Sequence, residues 1–132
     1  MAVPRQKFRE AVFLGLFGLS SGGNRDYLLP LIMEELKMTK KNVLEALEAA
    51  TKVYENISSL DEKIEKVSIA YDFERIPQVE RNILRLGVSE MGSLPPAVAM
   101  SEAIRLTRKF SSYEAASFVN AIMDAIYKHA PL

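Results

Sequence analysis

The chain contains no cysteine, no tryptophan and one histidine, and its basic and acidic residues cancel at 17 each. Without cysteine there is no disulfide framework, no thiolate metal site and no thiol nucleophile, a composition that suits a reducing cytoplasm. The single histidine, His129, cannot furnish the paired Glu-x-x-His ligands of a di-iron bundle, and it reads as a solvated helix-end residue favoured by the helix dipole. The zero net charge argues against a strong autonomous nucleic-acid binder, because phosphate neutralisation supplies most of such affinity. Any anion-binding surface must therefore be local, or completed by a partner. Gly22-Gly23 lacks the Lys-Ser/Thr of a phosphate-binding loop and reads as a turn. The apolar run behind Arg5, Lys7 and Arg9 falls short of the roughly 20 residues a membrane helix needs, and it carries only a weak cleavage pattern. The expectation is a buried first helix rather than a signal peptide or a membrane span. Glu34-Glu35 and the Glu45, Glu48 pair have no metal-ligating companions and read as solvated faces. No catalytic residue, metal or cofactor is expected.

What is present is helical periodicity. Val43, Leu47, Ala50, Tyr54 and Ile57 recur at three- and four-residue steps, as do Leu60, Ile64, Val67 and Tyr71. Val79, Ile83 and Leu86 form another stripe, followed by Ala99, Ala103, Leu106 and Phe110, and by Ala115, Phe118, Ile122 and Ile126. The segment from Ala11 to Leu19 is apolar almost all round, which marks a helix surrounded by others. No comparable run alternates with period two. Thr39 reads as an N-cap, Ser59 with Glu62 as a capping box, and Pro30, Pro77 and Pro96 as first-turn prolines. The pattern predicts an all-α chain of seven helices over about 5–19, 28–37, 40–57, 60–70, 76–91, 96–110 and 113–128, in one domain spanning residues 1–132.

Basic residues gather in three places. Arg5 and Arg9 stand one helical turn apart with Lys7 on another face, and Phe8, Phe13 and Phe17 follow. Guanidinium groups suit phosphate oxygens and stack on bases, and aromatic rings are the platforms that single-stranded RNA uses. The same residues also read as a solubilising terminus with core phenylalanines. Arg81 and Arg85, with Gln78, decorate the fifth helix opposite its apolar stripe; Arg105, Arg108 and Lys109 decorate the sixth. Each group reads equally as an ordinary charged face.

The segment from Tyr71 to Asp124 (YDFERIPQVERNILRLGVSEM, then SEAIRLTRKF and SFVNAIMD) resembles the closing helices of the bacterial NusB transcription antitermination family. RQKFREAVFLGLF resembles that family's arginine-rich first helix. In register are Arg5, Lys7, Arg9, Leu16, the aromatic Phe17 (where the family has a tyrosine), Glu74-Arg75, Glu80, Ile83-Leu84-Arg85, Glu90, Pro96, Glu102-Ala103, Lys109-Phe110 and Phe118-Val119-Asn120. The chain departs from the family at Gln6, Phe8, Val12, Leu14, Phe17, Tyr71, Ser101 and Ala121, and the stretch 20–70 matches only in helical character. The resemblance implies a NusB-like fold of two small packed helical bundles. It also implies a cytoplasmic, non-catalytic factor that binds boxA-type single-stranded RNA together with NusE, a small-subunit ribosomal protein. The pair would load that RNA onto the RNA polymerase antitermination complex and support ribosomal RNA transcription; the sequence itself leaves monomer and homodimer both open. The RNA-facing residues it implies are Arg5, Lys7, Arg9, Phe17, Glu80, Arg85, Glu114 and Phe118. The departures at Gln6, Leu14 and Phe17 motivate an alternative, a helical protein–protein interaction module that has lost RNA binding.

Overall fold

The apolar run after the amino-terminal arginines becomes α1, Arg5–Ser20, in a computed structural model that describes residues 3–68 and 72–129. Its turn at Ser21 to Gly23 uses Gly22 at φ +94°, a conformation that only glycine adopts without strain. α2, Arg25–Leu36, begins earlier than the sequence pattern predicts. The Asn24 side chain accepts the Tyr27 N–H at 3.0 Å, so this cap and not Pro30 sets the start, and Pro30 lies inside the helix on an exposed face. Lys37 closes α2 in the left-handed region at φ 53°, with the Met38 N–H bonded to the Met33 carbonyl. α3, Lys40–Glu55, starts from Thr39 as expected, its hydroxyl accepting from the Asn42 N–H, and the Glu48–Lys52 pair lies at 4.0 Å on its exposed face.

These three helices form one compact unit, Met1–Asn56. Ala11, Val12, Phe13 and Leu16 of α1, Leu28 and Ile32 of α2, and Val43, Ala46, Leu47 and Ala50 of α3 are all buried. Burial of each large apolar side chain contributes on the order of 1.5–3 kcal/mol. α1 and α3 approach closely at Gly15, where an added Cβ would lie 3.0 Å from Leu47 Cδ2 and 3.1 Å from Ala50 Cβ.

The second unit, Ile57–Leu132, holds the remaining elements. α4, Ile57–Val67, starts ahead of Ser59, which therefore sits inside the helix and does not cap it. Tyr71 and residues 69–70 of the helix expected over 60–70 lie outside the described residues. A short 3-10 turn, Phe73–Arg75, precedes α5, Gln78–Glu90, so Pro77 stands at the N-cap and not within the helix. α6, Pro96–Phe110, has its proline at the first position as predicted, and α7 spans Tyr113–His129. On α7 the Lys128 ammonium donates to Asp124 at 2.9 Å; that hydrogen bond, and then the carboxylate's charge, raises the Lys128 pKa above its ordinary value.

α5 is the central helix of this unit, packed by α4, α6 and α7. Every residue from Asn82 to Val88 is buried, and so is Glu80. The close approach of α7 falls at Gly87, where an added Cβ would meet Met123 Cε at 2.7 Å and Met123 Sδ at 2.9 Å. The described residues thus hold seven α-helices and no strand, the all-α class that the periodicity predicts. No helix among them is long and apolar enough to cross a membrane.

Candidate nucleic-acid interface

Arg5, Lys7, Arg9 and Phe17 lie on α1 in the first unit; Glu80, Arg85, Glu114 and Phe118 lie on α5 and α7 in the second. Arg5 is exposed, while Lys7 and Arg9 are half-buried. The first turn of α1 contains no acidic residue, and Pro4 at its N-cap offers no side-chain acceptor. A helix start with unsatisfied N–H groups and added cations is electrostatically favourable for a phosphate. Two of the three phenylalanines near it, Phe8 and Phe17, are only half-buried, whereas Phe13 is 2% exposed and belongs to the core. The Phe13 and Phe17 rings meet at 6.2 Å between centroids with planes inclined by 54°. That tilted contact fixes Phe17 by its neighbour and leaves part of its ring accessible.

The basic group on α5 turns out to be internal. Arg85 is 7% exposed, and its guanidinium grips Asp61 of α4 in a fork, Nε to Oδ1 at 2.7 Å and Nη2 to Oδ2 at 2.8 Å. Its remaining nitrogen, Nη1, donates to Asn82 Oδ1 at 3.1 Å. Arg81 donates from Nη2 to the carbonyls of Glu74 and Ile76 at 2.7 and 2.8 Å. Both guanidinium groups lie near the Phe73 ring, Arg81 at 4.9 Å and Arg85 at 5.8 Å from its centroid. The two arginines therefore staple α4 and the Phe73–Arg75 turn onto α5, and the face expected opposite the Val79-Ile83-Leu86 stripe is bonded inward at the buried Arg85 and half-buried Arg81, while Gln78 stays exposed. Glu80 is likewise enclosed: one carboxylate oxygen accepts the Ser111 hydroxyl, and Oε2 is buried without a hydrogen-bond partner among the described residues. Placed so, Glu80 holds the α6–α7 turn.

That turn carries the accessible part of the second set. Glu114 is exposed in the first turn of α7, and Phe118 one turn further along is half-buried. Arg105 pairs with Glu102 at 3.1 Å, whereas Arg108 and Lys109 are exposed. The Arg108 guanidinium lies 5.1 Å from the centroid of the Tyr113 ring, and Lys109 Nζ lies 5.7 Å from that of Phe110. Sequence reasoning singled out Arg108 and Lys109 but passed over Tyr113, because that residue falls outside the apolar stripe of α7. An aromatic residue placed off-stripe beside basic ones was the available signal. Asp61, the partner of Arg85, gave no signal of its own: it is an acidic residue on a helix rich in charge.

Comparisons with known proteins agree with the resemblance seen in the sequence. A family model described as the NusB family matches residues 6–128. The transcription antitermination protein NusB of Chlamydia pneumoniae is 35% identical over 133 residues, covering 98% of this chain and 83% of that protein. The NusB of a Nitratiruptor species is 36% identical over 128 residues, covering 94% and 91%. Among solved structures, a chain in the crystal structure of antitermination factors NusB and NusE in complex with dsRNA superposes with a TM-score of 0.76 at 30% identity, covering 94% of this chain and 96% of that one. The NusB of T. maritima superposes with a TM-score of 0.77 at 31% identity, covering 99% and 96%.

Proposed function

The chain belongs to the NusB family, and on that premise we propose that it is a non-catalytic, cytoplasmic antitermination factor that holds boxA-type single-stranded RNA jointly with NusE. In that role it would deliver the RNA to elongating RNA polymerase and favour complete transcription of ribosomal RNA. The observation that carries the reading is the acid-free first turn of α1 with Arg5, Lys7 and Arg9, set within a family match that spans nearly the whole chain. The neighbouring complex of NusB with NusE and double-stranded RNA supports a role shared between an RNA and a protein partner. So does the neutral charge of this chain, since a factor that shares its RNA with a partner has no need of strong affinity alone. Arg5, Lys7 and Arg9 contact phosphates in this account, Phe17, Glu114 and Phe118 face the bases, and Glu80 and Arg85 act from inside by shaping the second unit.

Binding of boxA-type RNA to the chain mixed with NusE should fall steeply as salt rises. Arg5→Ala should weaken all RNA sequences alike and reduce the slope of log affinity against log salt by about one contact. Fluorescence anisotropy across a salt series measures both. NusE binding with no RNA binding at low salt would instead identify a protein–protein module, in line with the departures at Gln6, Leu14 and Phe17.

A further inference from the structure

We propose that Tyr113 and Arg108 form a base-stacking platform on the α6–α7 turn, which takes one unpaired nucleobase of the bound RNA. The proposal rests on the RNA-binding reading and assigns that activity a pair of residues not among those the family resemblance implies. Tyr113 is 73% exposed, the most exposed of the large hydrophobic side chains among the described residues. It opens α7 and contributes nothing to the core. A ring left in water is an unused apolar surface, and nucleobases stack on such rings whatever their identity, because every base has a π-face. The Arg108 guanidinium at 5.1 Å from the ring centroid holds the tyrosine from across the turn. The same cation stands within reach of the phosphate attached to a base stacked on that ring.

The platform is built on a fixed base. The Ser111 N–H donates to the Thr107 carbonyl at 2.8 Å, and the Ser111 hydroxyl donates to the buried Glu80 carboxylate. Ser112 caps α7 by accepting the Ala115 N–H at 3.0 Å. A surface ordered before its ligand arrives loses less freedom on binding. The surroundings also distinguish a nucleotide from a protein partner. Protein hot-spot tyrosines sit in an apolar centre, whereas Arg108, Lys109, Ser111, Ser112 and Glu114, which flank Tyr113 in the chain, are all exposed and polar.

The test uses the full chain with NusE and a series of boxA-type single-stranded oligoribonucleotides, each carrying one 2-aminopurine at a different position. Stacking on Tyr113 should quench the fluorophore at one position of the series. Tyr113→Ala should abolish that quench and weaken binding about five- to hundredfold, and Tyr113→Phe should retain both. Arg108→Gln should lower affinity a few-fold and reduce the salt slope by about one contact. Thermal melting of each variant checks that the fold is intact. Equal affinity and equal quench in Tyr113→Ala would overturn the platform while leaving the RNA-binding reading standing. Loss of NusE binding in Tyr113→Ala, with RNA binding unchanged, would overturn it in favour of a protein contact. Failure of the parent chain to bind RNA would remove both readings together.

Discussion

Replacing Arg85 with alanine lowers the stability of the protein by about 3 kcal/mol or more, seen in urea denaturation as an earlier midpoint with an unchanged slope. The estimate follows from what the substitution strands. Asp61 loses both arms of a forked ion pair, and Asn82, which is fully buried, loses a donor to its side-chain oxygen. A buried polar group left without a partner costs its full desolvation, and a buried charge costs more. The Asp61 side chain keeps 21% exposure and can partly rehydrate, which sets the expectation at the low end of the range for broken buried pairs. Removing both charges together, as Arg85→Met with Asp61→Leu, should recover much of the loss, since an apolar pair leaves no charge stranded. A single Arg85 variant as stable as the parent would contradict the staple. The same measurement separates structure from RNA contact. An Arg85 variant that binds RNA poorly must be tested below its melting range before the loss is ascribed to the interface.

Phe13→Ala is the second large effect, a loss of about 3–5 kcal/mol from the first unit, read by thermal or urea unfolding. The ring is 2% exposed within α1, so its removal forfeits both the transfer energy and the contacts that a cavity cannot replace. Phe13→Leu keeps most of the volume and should cost about 1.5 kcal/mol or less. A further consequence reaches the interface. Phe17 rests against Phe13 at 6.2 Å, so the cavity frees a candidate base-contacting ring, and RNA affinity should fall even where the fold persists. Phe17→Ala, at a half-buried position, should spare stability far more than it spares RNA affinity.

The sequence carried most of the helical architecture, and its failures share a cause. Three- and four-residue spacing marked α3 to α7 because burial of one face is a local property of the pattern, while α1 showed as an apolar run and α2 only through Pro30. Thr39 and Pro96 marked their helix starts for equally local reasons. Asn24 was passed over in favour of Pro30 because a proline is tolerated in a first turn, yet here the side-chain cap decided the boundary. The error on α5 was of another kind. Its arginines stand opposite an apolar stripe, which normally means solvent, but α4, α6 and α7 enclose this helix and its polar groups bond inward. The partners lie 24 residues away for Arg85 and 31 for Glu80, and no helical period reports a contact over such separations. The amino-terminal candidates divide: Arg5 is exposed at the start of α1, whereas Lys7 and Arg9 are half-buried further along it.

The missing side chain at Gly87 also sets the chemistry of Met123. Its thioether lies within 3 Å of where a Gly87 Cβ would stand, at 0% exposure. Peroxide should therefore spare this sulfur in the native state and reach it only when α7 lifts from α5. Conversion to the sulfoxide would then block the return, and a transient opening would be recorded as permanent chemical damage. The rate at which that mass increment accumulates is accordingly a clock for how often the bundle breathes.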